Sequence, residues 1–304
     1  MSFSVLITTF ANNILPIILL GGAGFALGKT LHIEPRSLGR VVFYVFSPVL
    51  IFDLLIKNQL NLSEAAGVIG FTACIVLSIG LITYLLGRAL KVEQTALISI
   101  IITTMFANTG NYGLPLVAFA FGDEALGYAG VYFVTTALLF YSLGVFLASL
   151  GHMTFKQAGL GLFKVPTLYA VLLALFINAF QIEIPLALNR AVELAAGGTI
   201  PAMLVLLGLQ MTKVEFSKNL RALQLSVFLR LVAAPLLGLL IAMLFGLQGA
   251  ARQGAMIQAS MPSMVSATVV AAEYNLDSKL IAATVFVSTL LSPLTLTPLL
   301  VFLG

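Results

Sequence analysis

The chain has 304 residues, of which 60% are hydrophobic and 9% charged, and its formal net charge is +4. A soluble domain carries roughly 25% charged residues, so a chain this poor in charge cannot cover a water-facing surface, and lipid must be its main solvent. A soluble enzyme is excluded. With no basic cluster interleaved with aromatics, the positive balance reads as loop charge beside a membrane and no nucleic acid is expected as a partner.

A spanning helix needs about 20 mostly apolar residues. On that scale ten spans are predicted, at 5–28, 38–57, 64–87, 94–121, 125–150, 166–182, 186–210, 220–246, 250–273 and 278–303. Met1 to Phe10 has no basic start, so a cleavable signal peptide is not expected. In the first span, Gly21-Gly22-Ala23-Gly24 makes a small-residue face suited to close helix packing rather than a nucleotide loop. In the second, Asp53 and Lys57 stand four apart and are expected to pair. Cys74, the single cysteine, sits in the third span without a disulfide partner. His152 to Lys164 is the longest link and reads equally as a short interfacial helix or a plain loop. At the entrance of the seventh span Glu193 is expected to pair with Arg190. Arg230, about ten residues into the eighth, reads as a side chain snorkelling to the headgroups. Glu273 is expected near the cytoplasmic surface. His32 and His152 lie in loops and make no metal site together.

Loops after odd-numbered spans hold eleven Lys and Arg, those after even-numbered spans only Lys57, Arg190 and Arg252. Both termini should therefore face away from the cytoplasm of a cell (inner) membrane. Each half has an odd number of spans, so the halves insert in opposite orientations. Local matches share an offset. Leu38-Gly39-Arg40 and Leu188-Asn189-Arg190 lie 150 apart; Pro48 and Pro201, and Phe133-Val134-Thr135-Thr136 and Phe286-Val287-Ser288-Thr289, lie 153 apart. The expected organisation is two inverted five-helix repeats, 1–150 and 151–304.

The fourth span is interrupted by Asn108-Thr109-Gly110-Asn111-Tyr112-Gly113-Leu114-Pro115. Pro115 removes a backbone donor, and Gly110 and Gly113 relax the chain. The ninth span carries Gln258-Ala259-Ser260-Met261-Pro262-Ser263-Met264-Val265-Ser266 at the corresponding place. Broken helices expose amides and carbonyls at membrane depth, tolerable only inside protein or beside a watery cavity. Two such breaks in inverted halves point to a binding site near the midplane. Helix N-termini aimed there from both sides would cradle an anion. The candidate binding residues are Asn108, Thr109, Gly110, Asn111, Tyr112, Gln258, Ser260, Ser263 and Ser266, with Gly110, Gly113, Pro115 and Pro262 making the breaks. Packing kinks are the bland alternative.

The run from Asn108 to Leu116, with Met261-Pro262-Ser263 and Arg230 to Pro235, resembles the auxin efflux carrier family, relatives of the plant PIN carriers, over essentially the whole chain. The resemblance implies an all-α membrane protein of ten transmembrane helices in two inverted repeats, with helices 4 and 9 broken and crossed. It also implies that spans 3–5 and 8–10 form a transport body moving against a scaffold of spans 1, 2, 6 and 7. The plant carriers' long cytoplasmic insert is replaced here by a short link. The expected function is secondary transport of a small organic anion (a carboxylate, dicarboxylate or auxin-like acid) by elevator-type alternating access. A channel or a membrane-embedded ligand sensor is the alternative. No nucleophile–base pair, phosphate loop or zinc spacing suggests an enzyme, and no cofactor is expected. No midplane carboxylate stands out for proton exchange. The sequence leaves open the coupling ion (H+ or Na+), the direction and the oligomeric state, a homodimer included.

Overall fold

The computed structural model describes residues 2–58, 60–149, 155–212 and 217–304. Among them the secondary structure is helical, apart from one isolated antiparallel bridge between Ala107 and Ser263. Seven helices are long and apolar enough to cross a membrane: α1 (Phe3–Thr30), α2 (Pro35–Lys57), α3 (Leu62–Ala89), α5 (Thr109–Ala148), α8 (Leu186–Gln210), α9 (Leu220–Leu244) and α12 (Ser278–Leu303). Between them lie the shorter α4 (Gln94–Met105), α6 (Phe155–Leu160), α7 (Pro166–Phe180), α10 (Gly249–Ser260) and α11 (Ala267–Glu273). Of the link His152 to Lys164, the part that can be described is α6 and one 3-10 turn, Gly161–Lys164; His152 itself lies outside the described residues.

The predicted fourth span is interrupted at the expected place, and its second part runs on into the fifth. α4 is 12 residues long, about 18 Å at 1.5 Å per residue, and stops at the break. The chain resumes as α5, a 40-residue helical stretch turned at Gly122, whose φ of 74° is left-handed and suits glycine.

Prolines explain most of the local irregularities. Widened π-type turns occur at Phe10–Ile14, Val42–Phe46, Thr109–Gly113, Phe140–Gly144 and Leu229–Ala233. All but Phe140–Gly144 end two residues before a proline: Pro16, Pro48, Pro115 and Pro235. A proline ring inside a helix meets the carbonyl four residues back and donates no N–H; a local widening relieves both problems. Asn61, Glu93, Asn219 and Asp277 supply side-chain N-caps to α3, α4, α9 and α12.

Glycines set the closest packing. A Cβ on Gly24 would lie 2.1 Å from Val205 O, and one on Gly208 only 1.8 Å from Gly21 O, so α1 and α8 touch backbone to backbone. The Gly21–Gly24 face is thus a packing surface, as the sequence suggests. α5 and α10 meet the same way, with a Gly254 Cβ placed 2.4 Å from Ala125 O. α2 lies against α7 and α8, joined by Asn178 Nδ2 donating to Leu55 O at 2.9 Å. α3, α4, α5, α9, α10 and α12 pack around one another. At their centre Phe106 and Phe140 meet edge to face, 5.1 Å between centroids. Outward faces are apolar: Leu194, Met243, Leu244 and Leu294 are all largely exposed, as lipid contact requires.

Gly208→Val should therefore force α1 and α8 apart and lower the thermal midpoint of the purified protein in detergent. Overpacking of this kind costs about 1–3 kcal/mol. Gly22→Ala, which meets nothing within 4 Å, should leave the midpoint unchanged or raise it slightly. Equal melting of the two variants would mean that the backbone contact is not needed.

Candidate functional site

The two chain breaks lie against each other. Asn108 N donates to Pro262 O at 2.8 Å and Met264 N to Phe106 O at 2.9 Å, a two-bond antiparallel bridge between the end of α4 and the end of α10. Ser263 tightens it: its Oγ donates to Thr103 O at 2.8 Å, and its N–H donates to Ser288 Oγ at 3.1 Å. Helix ends leave orphan carbonyls that must find donors, and here each break supplies donors for the other.

Arg230 completes the arrangement. It is 2% exposed, and its Nε donates to Met261 O at 2.7 Å, its Nη1 to Thr104 O at 2.8 Å and its Nη2 to Ala259 O. The snorkelling expected for it is wrong. Ten residues into α9 is about 15 Å of helix, halfway through an apolar core of about 30 Å, and the side chain turns inward to two helix ends instead of outward to headgroups.

The candidate residues sort into three groups. Ser260 and Ser263 are fully buried with their hydroxyls donated to backbone carbonyls, those of Met256 and Thr103. Tyr112 is buried, its hydroxyl accepting from Ser292 Oγ at 3.2 Å. These three knit the crossing together. Gln258 is buried, with Nε2 donating to Ala129 O at 3.1 Å and Oε1 unpartnered. A Cβ on Gly113 would lie 1.9 Å from that Oε1, so glycine at 113 is required by the amide beside it and not only by flexibility. Asn108 is 5% exposed with its Nδ2 unpartnered. Asn111 is half-buried, its Nδ2 donating to Gln210 Oε1 at 3.1 Å. Thr109 and Gly110 open α5; Thr109 N donates to Ala107 O at 2.9 Å and Gly113 N to Asn108 O at 3.0 Å, and the N–H groups of Gly110, Asn111 and Tyr112 between them stand in the first turn, where the helix itself offers no acceptor. Ser266 precedes α11 without capping it by its side chain. The N–H groups of Ala267, Thr268 and Val269 are taken by the carbonyls of Met264, Val265 and Ser266. Donor groups thus gather at the start of α5, while α11 is a seven-residue helix whose first turn is already satisfied.

Gln210 and Arg230 are two polar residues of this region that the sequence did not single out as functional. Arg230 carried a signal, since an ionisable side chain inside a span is a functional candidate by default. Gln210 closes an otherwise apolar run, Leu204 to Leu209, but nothing in the pattern says which way it points. Beside Gln210 and Met211, with Val265, Thr268, Ala282, Val285 and Phe286, is a cavity of about 80 Å³. A larger hollow, about 290 Å³, lies between α1 and α12, away from the breaks. Thr297 is its one polar side chain, so it offers little to a charged solute.

The remaining ionic group is at the end of α2. Lys57 Nζ lies 3.0 Å from Asp53 Oδ1, the expected pair, and 3.2 Å from Glu193 Oε1 on α8. Glu193 thus pairs with Lys57 rather than with Arg190 as expected: the packing of α2 on α8 brings a cation from another helix to its carboxylate. Among the described residues no three His, Cys, Asp or Glu come together as a metal-binding group.

A family model described as membrane transport protein matches residues 9–300. The chain belongs to that family, the auxin efflux carriers. Two relatives each align over 92% of this chain and 93% of their own length. One, an uncharacterized transporter of Methanothermobacter thermautotrophicus, is 29% identical over 285 residues. The other, an uncharacterized transporter of Methanocaldococcus jannaschii, is 26% identical over 300. Family membership and the apolar helices make this a multi-pass membrane transport protein rather than an enzyme.

Because Glu193 keeps Lys57 paired when the Asp53 charge is removed, Asp53→Asn should insert normally and retain most of its transport. Uptake abolished in a well-folded Asp53→Asn carrier would instead make Asp53 an ion or proton site.

Proposed function

We propose that the chain is a secondary carrier for a small organic anion that works by elevator-type alternating access, with the substrate held at the start of α5. The observation that carries this is Asn108 Nδ2: a buried, unpartnered donor beside the first-turn N–H groups of a long helix, where the dipole is positive. A buried donor without an acceptor costs about 1–3 kcal/mol, and a carboxylate at this place would satisfy it. Asn111 adds a second donor, at present given to Gln210.

The fold behind this reading is ten spans in two inverted repeats. Its support is backbone conformation as well as sequence. Left-handed residues end corresponding segments: His32 and Gln181, Lys91 and Gly246, Gly122 and Asn275, at spacings of 149, 155 and 153. The division into a scaffold of spans 1, 2, 6 and 7 and a transport body of spans 3–5 and 8–10 is supported by packing, since α1, α2, α7 and α8 pack together and the remaining long helices surround the crossing. A cavity of about 80 Å³ holds a few waters, where small-molecule pockets run to about 300 Å³ and more. In this reading it is a closed state, and an anion that takes Asn111 takes it from Gln210 and so removes one polar tie between the two bodies. The termini face away from the cytoplasm of the inner membrane in this reading, on the strength of the loop charges.

Transport tests the site. Asn108→Ala and Asn111→Ala should each weaken uptake of the preferred carboxylate roughly ten- to a hundredfold, since a hydrogen bond to a charged group contributes about 1.5–3 kcal/mol. Asn111→Asp should be worse than alanine, because it sets a negative charge where an anion must sit. If the aspartate variant outperforms the alanine, the substrate is neutral or cationic. Normal uptake in both alanine variants moves the site elsewhere.

Topology is tested separately. Cysteines at Ser2 and Gly304 should react with impermeant reagents applied from outside, and one at Lys218 should not. Labelling of Lys218 from outside would overturn the assigned orientation.

A further inference from the structure

The side chain that the transport reading does not use is Arg230, and its surroundings are those of a cation site. Its three acceptors are backbone oxygens from two different helix ends: Thr104 O in the last turn of α4, and Ala259 O and Met261 O at the end of α10. Each helix C-terminus carries about half a negative charge. Two of them converging in an apolar interior present about one full negative charge, with oxygen ligands. In broken-helix transporters such C-terminal ends and unwound carbonyls coordinate coupling cations. Here the planar guanidinium takes them with donors fixed in a fork, the geometry in which arginine differs from lysine. The ion pairs of Lys57 lie at the end of α2, whereas the hydrogen-bond acceptors of Arg230 are the carbonyls of helix ends.

We propose that Thr104 O, Ala259 O and Met261 O form a monovalent-cation site at the helix crossing, and that Arg230 fills it as a tethered cation in place of an exchangeable ion. The consequence is that the crossing needs no bound Na+ to hold its two breaks together. Arg230 acts as a positioning residue: Met261 O, which it holds, is one peptide from Pro262 O, which receives Asn108 N. This deepens the reading of the crossing given above, but it concerns the stability of that crossing and stands whatever the substrate proves to be.

The experiment is a thermal-unfolding series on the purified full chain in detergent, with uptake measured separately. The wild-type midpoint should be the same in NaCl, KCl and choline chloride at equal ionic strength. Arg230→Ala should melt roughly 10 °C lower, in line with loss of one partner of a buried charge interaction. Guanidinium chloride at about 50 mM should raise the midpoint of this variant and not that of the wild type, as a ligand binding only the folded variant does. Urea at the same concentration should not. Stabilisation of Arg230→Ala by Na+ would also support the site, since it shows a small cation entering the vacated carbonyls. Should Arg230→Ala fail to fold, Arg230→Lys and Arg230→Met decide the matter: lysine, which keeps the charge, should give more monodisperse protein and a higher midpoint than methionine. Equal behaviour of lysine and methionine, no response of Arg230→Ala to any cation, or a wild type stabilised by Na+ over choline would each overturn the proposal. Loss of carboxylate uptake with these midpoints as expected would count against the substrate reading alone.

Discussion

A peptide chain broken at membrane depth has no water to turn to, and the whole centre of this protein is arranged around that constraint. Six backbone carbonyls near the two breaks, those of Thr103, Thr104, Phe106, Ala259, Met261 and Pro262, receive donors from the other break, from Ser263 or from Arg230. Neither break can be relieved alone. Separating α4 from α10 strands carbonyls on both sides together with a guanidinium, and removing one partner of a buried charged group costs about 3–5 kcal/mol. Glycine and proline in a spanning helix are usually read as flexibility. At this crossing they create polar groups whose pairing makes two helices rigid with respect to each other.

Satisfaction so complete gives meaning to the atoms left over. At the crossing these are Asn108 Nδ2 and Gln258 Oε1, one donor and one acceptor, on opposite breaks. They are not interchangeable in consequence. Gln258 Oε1 is wedged against Gly113, where even a methyl group does not fit, so no ligand atom reaches it from that side. Asn108 lies at the start of α5, where the helix dipole adds to its own N–H. The two breaks also differ in their donors: Asn108 Nδ2 is unpartnered at the start of α5, whereas α11 has spent its first N–H groups on Met264, Val265 and Ser266. Under the function proposed above, a single-sided donor cluster would orient an asymmetric anion with its carboxylate toward α5.

The sequence made the breaks, the Gly21–Gly24 packing face and the Asp53–Lys57 pair legible because each depends on residues close together in the chain. Proline and glycine act on their own backbone, and an i,i+4 pair needs only a helix. Even four of the five widened turns were open to reading, since each of those precedes a proline by a fixed two residues. What stayed hidden depends on rotation about a helix axis. α9 is apolar around most of its circumference, so no polar stripe marks which side faces inward, and Arg230 looked as free to reach the headgroups as to reach the core. Glu193 and Gln210 were hidden for the same reason: their partners, Lys57 and Asn111, come from other helices and are chosen by packing. Their separations of 136 and 99 residues leave no trace in local spacing.

The helices are also not held to one another with equal firmness. Where α1 meets α8 and α5 meets α10, glycines bring backbone against backbone, with no side chain between to yield. Such contacts have one register, because a shift of either helix drives a carbonyl into a Cα. α5 meets α2 and α8 in another way. A Cβ on Gly130 would lie 2.9 Å from Ile51 Cδ1, the tip of a side chain, and Asn111 and Gln210 share one hydrogen bond. A methyl group can move to a neighbouring rotamer well, and a single amide bond contributes about 0.5–1.5 kcal/mol net. Glycine seams fix helices within each proposed body, and flexible side chains with one amide pair separate the bodies. Under the proposed elevator movement, in which the crossing stays intact while α5 shifts against α8, that difference in contact type decides where sliding occurs.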